Sequence, residues 1–494
     1  MDKREIIVYG AGIAGKRVLI SLSEKGIDKN KVIVWDRNYK EIGEACGYAV
    51  SKPDFENFSD KNVSVIIAID PRKNSDIAED IRKKFEENDF NNFVDFKDIA
   101  VCYKHKYEII SKSDLENHNV EYSDLQYQDN IDFSSFTPKV KTLAFYLPQF
   151  HDIPENDKWW GKGFTEWTNI RKAKPYWKGH YQPREPHDDL GYYDLTDVEM
   201  IRKQAKIAKQ HGIYGWCIYY YWFSGKRLLE KPLDILLEHK DIDMNFCLYW
   251  ANESWTKQWV GDDDTTICKQ EYLQDDPEKF INNLKKYFDD SRYIRLNGNP
   301  VIHIYRPLII PNLKNMVERW RAQARKIGIG EICVLINCNE FSPEELNFAS
   351  IVNGASYFSC YEPLMRLGYK LENNNGLILN YAKYVDAYLN FVKQELRFKH
   401  FYRSCFALFD NSPRYSIEQS SFFYTGYNFS LGKFYEFMKV NVDEAVETEK
   451  EFTFVFSWNE WCEGSYIEPD KKYGYAIINT LSKAICGLPF DYPV

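Results

Sequence analysis

Along residues 1–100, short apolar runs alternate with amphipathic stretches. EIIVY at 5–9 reads as a buried strand and leads directly into Gly10-Ala11-Gly12-Ile13-Ala14-Gly15. Val18, Leu19 and Leu22 then share one face of a predicted helix. A second strand at 32–35 ends in Asp36 and a third at 65–69 ends in Asp70. Strand, glycine turn, helix, strand, acid is the order of a Rossmann βαβ unit. Its glycines let backbone N–H groups approach a phosphate at a helix N-terminus. Gly10, Gly12, Gly15 and Asp36 are therefore candidate nucleotide-binding residues, with a nucleotide or nucleotide sugar as the expected ligand. The unit is short for a complete dinucleotide-binding domain. A Rossmann-like fold that has lost its ligand, or serves docking, fits the same pattern.

Residues 101–139 are polar and read as a linker. From 140 to 494 the rhythm changes to eight apolar runs, at 142–146, 215–221, 245–250, 300–305, 332–336, 355–358, 405–409 and 452–456. Helical stretches lie between them. Thr196-Asp197-Val198-Glu199 reads as a capping box, opening a helix with Val198, Ile201, Ala205 and Ala208 on one face and a stop at Gly212. Phe280, Ile281, Leu284 and Phe288 mark a second such face; Leu313, Met316, Val317, Trp320, Ala324 and Ile327 mark a third, ended by Gly328. The predicted fold class is α/β: a (β/α)8 TIM barrel preceded by a small Rossmann-like α/β domain.

Composition narrows the function classes. Acidic residues outnumber basic ones by 73 to 64, a net charge of −9, which argues against a general nucleic-acid binder. The densest apolar stretch, WCIYYYWF at 216–223, is too short to cross a bilayer, so no transmembrane segment is expected. The N-terminus passes from charges straight into a strand, so no secretion signal is expected. The 11 cysteines are odd in number and show no CxxC spacing, so thiols in a reducing cytoplasm are expected. Aromatic residues make up 16% of the chain, many beside Asn, Asp, Glu and Gln. That pairing suits a polar ligand with apolar faces, such as a sugar.

A barrel of this kind builds its active site from the C-terminal ends of its strands. The residues there are Gln149, Phe150 and His151; Trp222; Asn252 and Glu253; Arg306; Asn337, Asn339 and Glu340; Tyr361 and Glu362; Asp410; and Trp458, Asn459, Glu460, Trp461 and Glu463. Carboxylates, amides and aromatics dominate, with no Ser-His-Asp set and no spacing of metal ligands. Paired carboxylates among sugar-stacking rings are the parts of a glycosidic-bond enzyme. The sharpest feature is Ser457-Trp458-Asn459-Glu460-Trp461-Cys462-Glu463-Gly464. Two glutamates three apart can face one pocket if the chain turns at Gly464, and their repulsion and burial can raise one pKa. In the competing reading, one or both cap a loop or pair with an arginine such as Arg306.

SWNEWCEGSYIEPD, together with AFYLPQFH at the first run, WWGKGFTEW after it and YWANESW at the third, closely resembles the WbsX-type family of O-antigen and capsule biosynthesis. That family is related to glycoside hydrolase family 99, the endo-α-mannosidases. The resemblance covers about 140–487. It implies retaining chemistry on α-mannoside-like substrates, with Glu460 deprotonating the sugar's 2-hydroxyl to give a 1,2-anhydro sugar and Glu463 as general acid/base. No cofactor is then required for the barrel chemistry. Cys462 stands where the hydrolases carry histidine, and WbsX-type proteins have been called glycosyltransferases, so hydrolysis and transfer both stay open.

Candidate substrate contacts are Tyr146, His151, Trp160, Glu166, Trp167, Trp222, Trp250, Asn252, Glu253, Tyr305, Trp458, Asn459 and Trp461. For Trp159, Trp160, Phe164, Glu166 and Trp167 a loop mini-core is the competing reading; for Asn252 and Glu253 it is a structural hydrogen-bond network. Asp262-Asp263-Asp264 resembles a metal-binding DxD but reads as a solvated loop, and Glu468 reads as a loop-steering acid. The expected partners are an oligosaccharide or polysaccharide and enzymes of polysaccharide assembly. Two rival functions remain, a nucleotide-sugar-dependent glycosyltransferase and a non-catalytic glycan-binding subunit.

Overall fold

The computed structural model describes residues 5–11, 15, 18–19, 22, 27–69, 71–94, 109–110, 124–257, 262–338, 345, 347–356, 377–392, 400–415 and 423–491. Two compact units emerge, one within Met1–Ile109 and the other over most of the remaining chain.

In the first unit, Ile6–Tyr9 lies between Val32–Trp35 and Ser64–Ile67, all parallel, with Tyr48–Ser51 beyond Val32–Trp35 and Glu44–Ala45 antiparallel at the edge. Both faces of this sheet are covered, as parallel sheets require. Val8, Val18, Leu19, Val34 and Ile66 pack on one side; Ile7, Trp35, Val65, Phe85 and Phe90 pack on the other. Gly10 has φ +104°, and a Cβ there would meet the carbonyl of Ala68 at 2.7 Å. A Cβ at Gly15 would sit 1.7 Å from the carbonyl of Gly10, so close packing demands glycine at both. Gly12 lies outside the described residues.

The second unit is a closed parallel barrel of eight strands. Lys141–Tyr146, Ile213–Phe223, Asn245–Trp250, Asn299–Ile304, Cys333–Asn337 and Gly354–Ser356 pair in sequence order. The seventh strand is broken: Phe401–Tyr402 pairs with the sixth, Ser404–Phe406 pairs with Phe452–Phe456, and the eighth returns to the first. Arg403 marks the break, and its carbonyl accepts from the Phe454 N–H at 2.9 Å. This polar interruption is why the apolar pattern places the seventh strand later, at 405–409. The part of the sixth run from 357 onward lies outside the described residues.

Strand alternation sorts the aromatic run of the second strand onto two faces. Cys217 and Tyr219 turn inward, toward His303 at 3.8 Å and the Tyr249 ring at 5.2 Å. Tyr220 and Trp222 turn outward, onto Asn283 and Asp276 of the helix Asp276–Phe288. Phe145, Tyr249, His303 and Phe454 fill the barrel interior. Each ring withdrawn from water contributes roughly 1.5–3 kcal/mol.

The helix Val198–Gln210 buries Ile201, Ala205 and Ala208 as its pattern predicts. Its cap differs: the Asp197 carboxylate accepts from the Glu199 N–H, while Thr196 donates its hydroxyl to Asp194. The helices Asp276–Phe288 and Leu313–Lys326 also bury their predicted faces. Residues 124–139, read as the end of a linker, belong to the barrel unit. Leu125 and Phe133 are buried there, Asp124 accepts from the N–H groups of Leu431 and Gly432, and Lys139 donates to Ile485.

Candidate active site

The eighth strand runs into a tight hairpin. The N–H of Glu460 donates to Ser457 Oγ at 2.9 Å, and the Ser457 hydroxyl donates to the Ser465 carbonyl at 2.6 Å. Asn459 and Glu460 pair with Tyr466 and Ser465, and the single helical turn Trp461–Glu463 connects the two arms. Side chains three apart nearly eclipse on such a turn. Glu460, at its cap, and Glu463, at its last position, therefore project to the same side. The turn closes at Gly464, whose left-handed backbone (φ 57°, ψ 11°) suits glycine.

What they project onto is Arg414, from the short turn Ser412–Arg414 that follows the seventh strand. Arg414 Nη1 donates to Glu463 Oε1 at 2.8 Å. Its Nη2 lies 3.9 Å from Glu460 Oε2 and 3.9 Å from Glu166 Oε2. Glu166 opens the helix Glu166–Lys172 after the first strand. Three carboxylates from two loops thus surround one guanidinium from a third, at the C-terminal end of the barrel. Tyr219 hydrogen-bonds Glu460 from the second strand. Tyr221, on the same inward face, accepts from Gln149 Nε2 at 2.7 Å.

Burial pushes the Glu460 carboxyl well above the usual carboxylate range, Glu463 and Glu166 add to this by repulsion, and Arg414 opposes it. Burial also raises Glu463, against Arg414 and with Glu166. For Arg414 burial disfavours the charge, but Glu463, Glu166 and Glu460 outweigh it and hold the guanidinium charged. Opposite charges about 4 Å apart attract by about 4 kcal/mol at the dielectric of a protein site. One guanidinium cannot neutralise three carboxylates at that strength.

Several sequence candidates are buried around the site, most of them braced by hydrogen bonds or ring packing. Asn459 clamps the backbone of Leu147, accepting from its N–H at 2.7 Å and donating to its carbonyl at 3.0 Å. Trp461 is buried, stacks on Tyr466 at 3.7 Å and donates Nε1 to Glu468 at 2.7 Å. Trp167 is buried beside Trp461 and donates to the Tyr193 carbonyl. Trp458 is buried next to Trp216, and His151 is buried as well. Asn252 holds the backbone of Arg306 through both amide atoms.

Tyr146, Trp222 and Trp250 face the helix layer, not the barrel mouth. Tyr146 donates to Gln204, Trp222 donates to Asp276, and Trp250 packs on Phe280 and Trp320. The reason is parity: each lies on the outward-pointing face of its strand, one position beyond an inward-pointing neighbour. Glu253 pairs with Arg306 at 2.7 Å, Tyr305 packs on Tyr249, and half-buried Trp160 stacks on Phe164. The arginine that meets the glutamate pair is therefore Arg414, not Arg306. Tyr219 and Tyr221 were legible in principle from the alternation of their run; Arg414, in an NSPRY loop, carries no comparable signal.

Asn339, Glu340, Tyr361 and Glu362 lie outside the described residues. Among the described residues no cluster of His, Cys, Asp and Glu is arranged to hold a metal. In the N-terminal unit, Asp36 Oδ2 accepts from the Ala11 N–H at 2.7 Å and Oδ1 from the Asn38 N–H at 2.8 Å, so both oxygens brace the local turns. No described helix is long and apolar enough to cross a membrane.

A family model for the glycosyltransferase WbsX matches residues 142–481. Two curated relatives, the WxcX proteins of two strains of Xanthomonas campestris pv. campestris, are each 34% identical over 354 residues, covering 70% of this chain and 50% of theirs. The chain spans about half the length of these relatives. Among solved structures, a glycoside hydrolase-like protein aligns at 13% identity with a TM-score of 0.47, covering 76% of this chain and 99% of that one. The family 99 endo-α-mannosidase of Bacteroides thetaiotaomicron aligns at 15% identity with a TM-score of 0.42, covering 70% and 96%. With one family model spanning the barrel from its first strand to its last helix, the chain belongs to the WbsX glycosyltransferase family.

Proposed function

We propose that the chain is a carbohydrate-active enzyme that cleaves or transfers an α-mannoside-type bond with retention, in bacterial surface polysaccharide metabolism. The observation that carries this reading is the convergence of Glu460 and Glu463, from one turn of the eighth-strand loop, on a single buried guanidinium at the C-terminal end of the barrel. Two carboxyls that share a proton supply both an acid and a base at neutral pH.

In the proposed cycle Glu460 takes the proton of the sugar's 2-hydroxyl as that oxygen attacks C1. Glu463 gives its proton to the departing oxygen, and the C1–O bond breaks. The product is a 1,2-anhydro sugar, a free leaving-group hydroxyl, a protonated Glu460 and an ionised Glu463. Glu463 then takes a proton from an incoming hydroxyl, whose oxygen opens the strained ring at C1, and Glu460 returns its proton to O2. Water as the incoming group gives hydrolysis; a sugar hydroxyl gives transfer, the outcome the family's name favours. This chemistry calls on no cofactor. The reading takes the cytoplasm as its compartment, an oligosaccharide or polysaccharide as substrate, and other assembly enzymes as partners. A nucleotide sugar at the N-terminal unit belongs to the rival in which that unit supplies or senses the donor.

The test is incubation with a panel of α-mannosides and nucleotide sugars, the product anomer being read by NMR. Retained anomers from α-mannosides are expected. Turnover of nucleotide sugars alone moves the assignment to the donor-dependent transferase, and glycan binding without any product moves it to a binding subunit.

A further inference from the structure

Behind the turn that carries the glutamate pair, a further carboxylate collects three donors. Glu468 is buried and follows the returning arm of the hairpin, Ser465–Tyr466. Its Oε2 accepts from Trp461 Nε1 at 2.7 Å and from the Tyr193 hydroxyl at 2.8 Å, and its Oε1 accepts from Gln204 Nε2 at 2.7 Å. Gln204 is held in turn by the Tyr146 hydroxyl, which donates to its Oε1 at 2.8 Å. Tyr193 also receives Asn459 Nδ2 at 3.4 Å. These bonds join the first strand, the helix Val198–Gln210 and the loop before it to the eighth-strand hairpin. Burial keeps Tyr146 and Tyr193 neutral, so both hydroxyls retain the proton they donate.

Trp461 is held in two directions. Its ring stacks on Tyr466 at 3.7 Å and 15°, which sets the plane of the indole. The bond from Nε1 to Glu468 sets its rotation within that plane. Trp461 opens the single turn Trp461–Glu463, with Glu460 at the cap and Glu463 at the last position. We propose that Glu468 is a positioning residue for the glutamate pair, acting through the Trp461 indole. The inference rests on the two-glutamate reading given above. A carboxylate has two acceptor oxygens, enough for all three donors, whereas an amide has one. On so short a turn a rotation of the indole carries both glutamates with it. Misplacing reacting groups by about 1 Å costs on the order of 100-fold in rate. A loosened indole therefore lowers kcat and leaves sugar binding largely as it was.

Steady-state kinetics and hydrogen–deuterium exchange of the full chain test this at about pH 8, above the Glu468 pKa of about 7. Trp461→Phe removes the indole donor and keeps a ring against Tyr466. Glu468→Gln leaves one acceptor oxygen for three donors. Both variants are expected to lower kcat with KM nearly unchanged, Trp461→Phe by at least ~10-fold. Both should speed exchange of the backbone amides at 457–466 relative to those of the helix Asp276–Phe288. The double variant should be no slower than Trp461→Phe alone, because the two changes break one link. Losses in kcat that multiply in the double variant overturn the proposal, since Glu468 then acts by another route. So does a KM that rises with kcat unchanged, or exchange at 457–466 equal to that of the wild type. Should Glu468→Gln not fold, kcat and exchange in Trp461→Phe decide alone. If the wild type turns over neither α-mannosides nor nucleotide sugars, the two-glutamate reading falls. Faster exchange at 457–466 in both variants then still upholds the hold on the turn, and unchanged exchange overturns it.

Discussion

The backbone N–H of Asp410 donates to the carbonyl of Glu463 at 2.5 Å, tying the end of the seventh strand to the turn that carries the glutamate pair. Asp410 is itself held by His180 Nε2 at 2.9 Å, Gln182 Nε2 at 2.8 Å and Arg184 Nη2 at 3.5 Å. Burial opposes its charge, but His180 and Arg184 keep the carboxyl well below the usual range. A Cβ at Gly464 would come within 2.9 Å of Asp410 Cβ and adopt a left-handed backbone as well. Gly464→Ala is therefore expected to cost about 1–2 kcal/mol in stability and to displace Glu463 from its brace. Turnover should fall at least ~10-fold in a protein that still folds, measured by urea unfolding alongside initial rates.

Removing either proton-transfer group should be far more damaging to rate than to fold. Glu460→Gln and Glu463→Gln are each expected to reduce turnover by at least ~100-fold, the usual size of a general acid or base contribution. Their unfolding free energies should rise or stay level, because each replaces a carboxyl that burial disfavours as an anion. Near-normal rates in both would remove them from the mechanism.

The barrel was legible because each strand run is apolar on both faces and each helix shows one clean apolar stripe. The seventh strand was displaced because Arg403 interrupts its run, and that arginine is paid for by burial against Glu444 at 3.2 Å. Within the site, Glu460 and Glu463 could be read from the chain, since carboxylates just past a strand end have few other reasons to be there, and Glu166 from its aromatic-rich loop after the first strand. Trp222 and Trp250 misled, because an aromatic at a strand end is equally at home under a helix. Arg414 was invisible because its role depends on three acids brought together from more than 290 positions of chain, as in Glu166 to Glu460.

Trp222 separates these two kinds of aromatic experimentally. Its Nε1 donates to Asp276 Oδ1 at 2.9 Å under the helix Asp276–Phe288. Trp222→Phe leaves that buried oxygen without its donor, and a loss of about 1–3 kcal/mol is expected. KM for any turned-over glycan should not change. A KM several-fold higher with unchanged stability would return Trp222 to the substrate side.

Glu468 gives the barrel a pH dependence with a definite sign. Its carboxylate accepts from Trp461 Nε1, Tyr193 Oη and Gln204 Nε2, at 2.7, 2.8 and 2.7 Å, with no cation among these donors. Burial raises its pKa from 4.5 to about 7, and the donors only partly offset the rise. A carboxyl whose pKa is higher folded than unfolded binds its proton more tightly in the folded state. Its stabilising contribution is complete below the unfolded value and is lost as pH rises through the folded one. Between pH 4.5 and 7 that loss amounts to about 3 kcal/mol. Glu460 and Glu463 act with the same sign, so the wild-type curve alone cannot isolate the effect. The difference between wild type and Glu468→Gln can, because the glutamine does not titrate. Urea unfolding at a series of pH values should show the variant gaining on the wild type as pH rises from 5 to 8. A gap that stays constant across that window would mean the Glu468 carboxyl keeps one protonation state throughout.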